Sequence, residues 1–196
     1  MGLSPPRPGL GARFDTRALR PPTVAGDEAA RLQSQPACAA ALLAWCQRGD
    51  PVLAVAALQG KPALGPTAWA NALARQLDGG TRLDALGRAA GLAWRLRLKL
   101  GEAWPGRARQ PGDPWDAGWA LTSSDALLHW QRSWQPRRPT LVLAEAGQAA
   151  VLAPVLATLP QQLAPDAPPV RWLWVGGDDW APLPLQKHKV ALFRQA

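Results

Sequence analysis

The sequence predicts an α/β domain with a mainly parallel sheet, covered on both faces, preceded by a flexible N-terminal arm. Three observations carry this. A continuous apolar run at residues 52–58 and two mostly apolar segments at 140–144 and 170–175, interrupted by Thr140 and Arg171, lack polar alternation, the pattern of strands buried on both faces. Stretches with helical periodicity separate them, and short apolar strands alternating with helices imply parallel strands with helical crossovers. Residues 1–30 instead hold Pro5, Pro6, Pro8, Pro21 and Pro22 with scattered glycine and no sustained apolar period, which reads as flexible chain. The expected division is a basic, Pro-rich arm over residues 1–35 and a single domain over 36–196.

The elements follow in order. Ala37 to Trp45 repeats apolar residues at helical spacing until Gly49 and Asp50-Pro51 stop it. The run 52–58 leads into a Gly/Pro-rich loop from Gly60 to Thr67. Trp69, Leu73, Ala74 and Leu77 then mark a helix that Gly79-Gly80 ends, and a short helix is expected from Thr81 to Ala90. Residues 94–100 alternate strictly between apolar and basic (Arg95, Arg97, Lys99), as a half-buried strand with a cationic outer face does. Like charges of this kind protect a sheet edge, the preferred reading; a binding surface is the alternative. Trp115 to Leu121 is expected as a short strand, and Asp125 to Trp134 and Gln148 to Leu163 as helices.

Bulk properties narrow the function. The 196 residues carry a net charge of +8, and 47% are hydrophobic. Only four of the 22 basic residues are lysine (Lys61, Lys99, Lys187, Lys189). Arginine, alanine, glycine and proline share GC-rich codons, so coding composition accounts for the basic excess without a polyanion partner; nucleic acid is a possible but disfavoured partner. No segment approaches the ~20 apolar residues of a membrane span, and the arginine-bearing first 20 residues lack the apolar core of a secretory signal. Cys38 and Cys46, eight apart on a helix, would lie ~12 Å from each other and cannot bridge. A cytoplasmic protein with two core thiols is expected.

The chemistry-bearing stretch is Gly60-Lys61-Pro62-Ala63-Leu64-Gly65-Pro66-Thr67. It matches the Walker A pattern G-x-x-x-x-G-K-[ST] except that Pro66 stands in place of the lysine. Glycine is common enough here that about one or two such glycine pairs arise by chance; the strand before the loop and the helix after it carry the assignment. Proline removes the cation that would neutralise phosphate oxygens, and one backbone N–H of the anion cradle. It is nonetheless favoured in a helix's first turn. Losing two charge-assisted contacts of ~1.5–3 kcal/mol each weakens phosphate binding by roughly two to four orders of magnitude. Lys61, at the second loop position, could supply a substitute cation. In Leu141-Val142-Leu143-Ala144-Glu145, Ala144 occupies the place of a Walker B aspartate and Glu145 keeps one carboxylate.

The stretch from about Leu42 to Val175 resembles the NTPase domain of STAND-class signalling ATPases. The resemblance rests on Leu43-Ala44-Trp45, the degenerate loop at 60–67, Trp115 to Trp119, Pro136 to Leu143 and Pro169 to Leu173, in the family's order. It implies a three-layer P-loop NTPase-like fold with a RecA-like or ASCE-type core, acting as a nucleotide-gated switch in regulatory signalling. The chain departs from the family in lacking the lysine and the aspartate, in the strand at 94–100, and in having no helical lid or repeat module.

Other constellations are sparse. His129 and His188 have no ligand-like neighbours at metal spacing and read as surface or capping residues. Ser123-Ser124-Asp125 reads as a helix N-cap. Gly176-Gly177-Asp178-Asp179 follows the third run, where α/β ligands bind, and reads first as a turn. Of eleven tryptophans, most should be core, with a partner surface as the use for any exposed ones. The expected function is a catalytically inactive, STAND-like regulatory or protein-interaction module, with no catalytic residue and no metal. Gly60, Lys61, Gly65, Thr67 and Glu145 would be its vestigial nucleotide site, giving at most weak ATP/Mg binding. The alternatives are a conditional ATP-binding subunit completed by a partner, and a nucleic-acid-associated accessory protein.

Overall fold

In the computed structural model, the described residues are 15–23, 27–60, 65–86, 93, 113–176 and 191–194. They form β1 (Leu19–Arg20), α1 (Glu28–Ser34), α2 (Pro36–Gln47), β2 (Leu53–Gln59), α3 (Pro66–Leu77), α4 (Gly80–Ala85), β3 (Asp116–Ala120), α5 (Ser124–Arg132), β4 (Thr140–Glu145), α6 (Ala149–Gln162, after a 3-10 turn at Ala146–Gln148), β5 (Val170–Gly176) and β6 (Ala191–Arg194). The sheet order is β1-β3-β4-β5-β2-β6, parallel except for the β1–β3 pair.

The order explains the layers. From β2 the chain moves past β5 and β4 to reach β3, then steps back through β4 to β5. Crossovers of one hand must therefore place α3 on one face and α5 and α6 on the other. The two cores bear this out. Leu58, Leu141, Leu143, Leu173 and Val175 pack with Trp45, Trp69 and Leu73 of α2 and α3. Val55, Val142, Ala144, Trp172 and Trp174 pack with Trp130, Leu152, Val155 and Leu156 of α5 and α6. On that second face Trp134, Trp130, Trp172 and Trp174 form a chain of tilted rings with successive centroids 4.5, 5.6 and 5.9 Å apart. Such geometry adds roughly 0.5–1.5 kcal/mol per pair beyond area burial.

Element boundaries follow local chemistry. Gly65 adopts φ +58°, and Pro66 opens α3 at a position where a missing N–H costs nothing. Ser123 caps α5, its hydroxyl accepting from the Ala126 amide at 3.3 Å. At the N-terminal edge of the sheet, Arg171 on β5 is fully buried. Its guanidinium donates to the carbonyls of Trp45, Pro51 and Arg48 and lies 5.9 Å from the Trp45 ring centroid. It thereby pins the α2–β2 turn to the sheet, and burial depresses its pKa.

Several expectations change. Residues 15–22 and 27–34 are not free arm: Ala18 and Leu19 are buried, β1 pairs with β3, and α1 packs on α3. The proline-rich composition hid them, since a two-residue strand has no period to detect. β6 was also missed; it is four residues long and adds parallel to β2. The short helix expected from Thr81 to Ala90 is described as α4, Gly80–Ala85. Cys38 is only half-buried, while Cys46 is core. The basic segment with Arg95, Arg97 and Lys99, along with Lys61, His188 and residues 177–179, lies outside the described residues. No helix among the described residues is long and apolar enough to cross a membrane.

Candidate functional site

In a parallel sheet, ligands settle outside the carboxyl ends of strands where crossovers diverge to opposite faces. Here the divergence lies between β2, whose chain leaves into α3, and β4, whose chain leaves into α6. At this carboxyl side β2 ends and, after Gly65, α3 begins. Gly60 is buried, and its amide donates to the Gly176 carbonyl at 3.3 Å, extending the β2–β5 pairing past Gln59. Across the loop, Gly65 is the left-handed N-cap of α3, and the Trp69 amide closes the first turn onto the Gly65 carbonyl at 2.9 Å. Pro66 removes one of the amides a helix N-terminus offers to an anion. Thr67, one residue on, is exposed.

Glu145 ends β4 and is exposed. It is level with Val175 on β5, while Gln59 is level with Gly176, so β5 separates Glu145 from the loop by two strand spacings, ~10 Å. Strand alternation turns Glu145 to the face of Leu143 and α3. Ala144 is turned the other way: it is fully buried in the core with Trp174 and Leu152. A carboxylate at 144 would enter that apolar core. The small residue there is explained by packing, and Glu145 is the exposed carboxylate at the carboxyl end of β4.

Sequence reasoning missed one cation. A Cβ built on Gly65 would lie 3.9 Å from Nη1 of Arg31, which places a guanidinium from α1 at the start of α3. Arg31 is paired with Asp27 one turn earlier on α1, Nε to Oδ1 2.8 Å, and this pairing holds the Asp27 carboxyl below its usual range. The signal was present as Asp27 and Arg31 at i, i+4 spacing, but it lay within the stretch read as arm.

A second polar cluster sits at the opposite edge of the sheet. His129 on α5 bonds Asp15 through Nε2 at 2.5 Å and Ser133 through Nδ1 at 2.7 Å. Beside it is an open cleft of about 480 Å³ lined by Thr16, Arg17, Leu121, Ser123, Asp125, Ala126 and His129. Burial works to raise the Asp15 carboxyl, but hydrogen bonds from Arg17 and His129 outweigh it and hold the group below its usual range. Ser133, His129 and Asp15 share the connectivity of a nucleophile, base and orienting acid. The amides of Ser133 and Trp134, however, both donate to the His129 carbonyl, at 3.1 and 3.0 Å, and are not available to stabilise an oxyanion. The cluster is a structural tie, and His129 is not a simple surface residue, because it joins Asp15 to Ser133. Among the described residues no group of three or more His, Cys, Asp or Glu could hold a metal ion.

No family model matches this chain, and no curated protein or solved structure matches it either.

Proposed function

We propose that this chain is a pseudo-NTPase: a regulatory or protein-interaction module on a P-loop-like, STAND-like core that does not turn over ATP. The observation that carries the reading is Pro66 at the first position of α3, directly after a left-handed Gly65. This reading is supported by the strand that ends at Gln59 and the helix that starts at Pro66, with a residue suited to helix initiation standing where a phosphate cradle would carry its cation. Such a fold retains its value as a surface. The expected partner is a protein, with no nucleotide cofactor required.

The conditional ATP-binding subunit is the second reading, favoured by Arg31. A guanidinium beside the positive end of α3, with Glu145 at the carboxyl end of β4, gives charges of the right sign for a phosphate and its counter-cation. In that case Gly60, Lys61, Gly65 and Thr67 would line the phosphate side. An ATP hydrolysis assay on the purified protein, with Lys61→Ala and Arg31→Ala beside it, separates the two. The pseudo-NTPase reading expects background turnover in all three. Turnover above background that falls in either variant would establish the conditional ATPase.

A further inference from the structure

We propose that residues 15–23 form a strap that opens as a unit of its own, latched by the contact between Asp15 and His129, and that its opening bares the edge of β3 while the rest of the fold stays closed. The inference does not depend on the nucleotide-site reading. The strap starts on the face of α5, where Asp15 meets His129 at 2.5 Å. It crosses the sheet edge as β1, with only two residue pairs, Leu19 with Ala120 and Arg20 with Trp119. On the face of α3 it ends where the Thr23 amide donates to Asn71 Oδ1 at 3.2 Å. Asn71 Oδ1 also accepts from the buried Trp119 indole at 2.7 Å.

The contacts divide into a seat and two ties. Gly118 provides the seat: a Cβ there would lie 2.5 Å from the Arg20 carbonyl oxygen, so the strap backbone rests directly on β3. Ala18 and Leu19 are the buried anchors. Asp15 is also held inside the strap, by the Arg17 amide at 3.0 Å and the Arg17 side chain at 3.2 Å. The Asp15 turn can therefore persist when the strap lifts, leaving the His129 contact as the side-chain tie between its first residue and α5. Segments with short ladders and few buried anchors open locally, below the free energy of global unfolding. By contrast, β4 and β5 pair with each other over six residue positions in the centre of the sheet.

Hydrogen exchange on the full-length protein tests this, with His129→Leu to cut the latch and His129→Gln to restore an N–H donor. A charge-assisted contact predicts that exchange across 15–23 and at the Leu121 amide, which donates to the Ala18 carbonyl, accelerates roughly 10- to 100-fold in His129→Leu, recovers in part in His129→Gln, and stays unchanged across 140–145 and 170–176. Equal acceleration everywhere, or none in the strap, would overturn the proposal. Wild-type exchange in low denaturant gives an independent reading that needs no variant. Strap amides should exchange through an opening nearly insensitive to denaturant; exchange only along the global unfolding isotherm would refute a separate strap.

Discussion

Ala144 and Pro66 illustrate how alike two substitutions can look in sequence and how differently they act. Pro66 opens α3 without a backbone amide and, on the proposed reading, without the cation of a phosphate cradle. Ala144 lies with Trp174 and Leu152 in an apolar core. Ala144→Asp should therefore destabilise the fold by about 3–5 kcal/mol, since an unpaired carboxylate is buried, and should not raise nucleotide affinity. Chemical denaturation of the variant checks the first point; an unchanged midpoint would mean that the side chain escapes to solvent. Arg171 is the reverse case, a buried cation whose donors satisfy the carbonyls of Trp45, Arg48 and Pro51. Arg171→Leu removes the guanidinium from the carbonyls of Arg48 and Pro51, while Trp45 keeps the Arg48 amide, and should cost about 2–4 kcal/mol, read as a lower denaturation midpoint with unchanged slope. The sequence places Arg171 within a strand read as buried, but not its partners, which are carbonyls more than 100 residues away.

At the scale of elements, Gly118 and the strap make the clearest demands. Gly118→Ala must displace the Arg20 backbone, so β1 should detach while β4, β5 and β2 remain paired. The expected signature is faster exchange and proteolysis near residue 20 at little change in the main unfolding transition. The strap should also be labile to acid. The folded pKa of Asp15 is lowered from 3.8, so its contribution is complete above that value and is lost as pH falls through the lower folded one. Strap exchange followed against pH should show a midpoint below 3.8, and His129→Leu should move it upward. Elements with strong local signals were legible: β2, β4 and β5 as apolar runs, α3 from its periodicity and Pro66, α5 from Ser123. β1 and β6 were not, because two- and four-residue edge strands are defined by their partners rather than by their own pattern. Arg31 and Asp15 were lost with them, which is why the sequence placed one vestigial site on the loop and β4 and omitted the α1 cation.

For the whole molecule, the strand order and the two cores place the ends of β2 and β4 and the start of α3 at the carboxyl edge of a mostly parallel sheet. Under the proposed reading this edge is a phosphate cradle that Pro66 disables. Calorimetric titration of the full-length protein with ATP and Mg²⁺, wild type beside Pro66→Lys, tests this most directly. The account predicts no saturable heat below millimolar ATP for the wild type. It predicts a gain of roughly tenfold or more in affinity when Pro66→Lys restores both an amide and a cation. Micromolar ATP binding by the wild type, lost in Lys61→Ala or Arg31→Ala, would contradict it and make the chain a nucleotide-binding subunit.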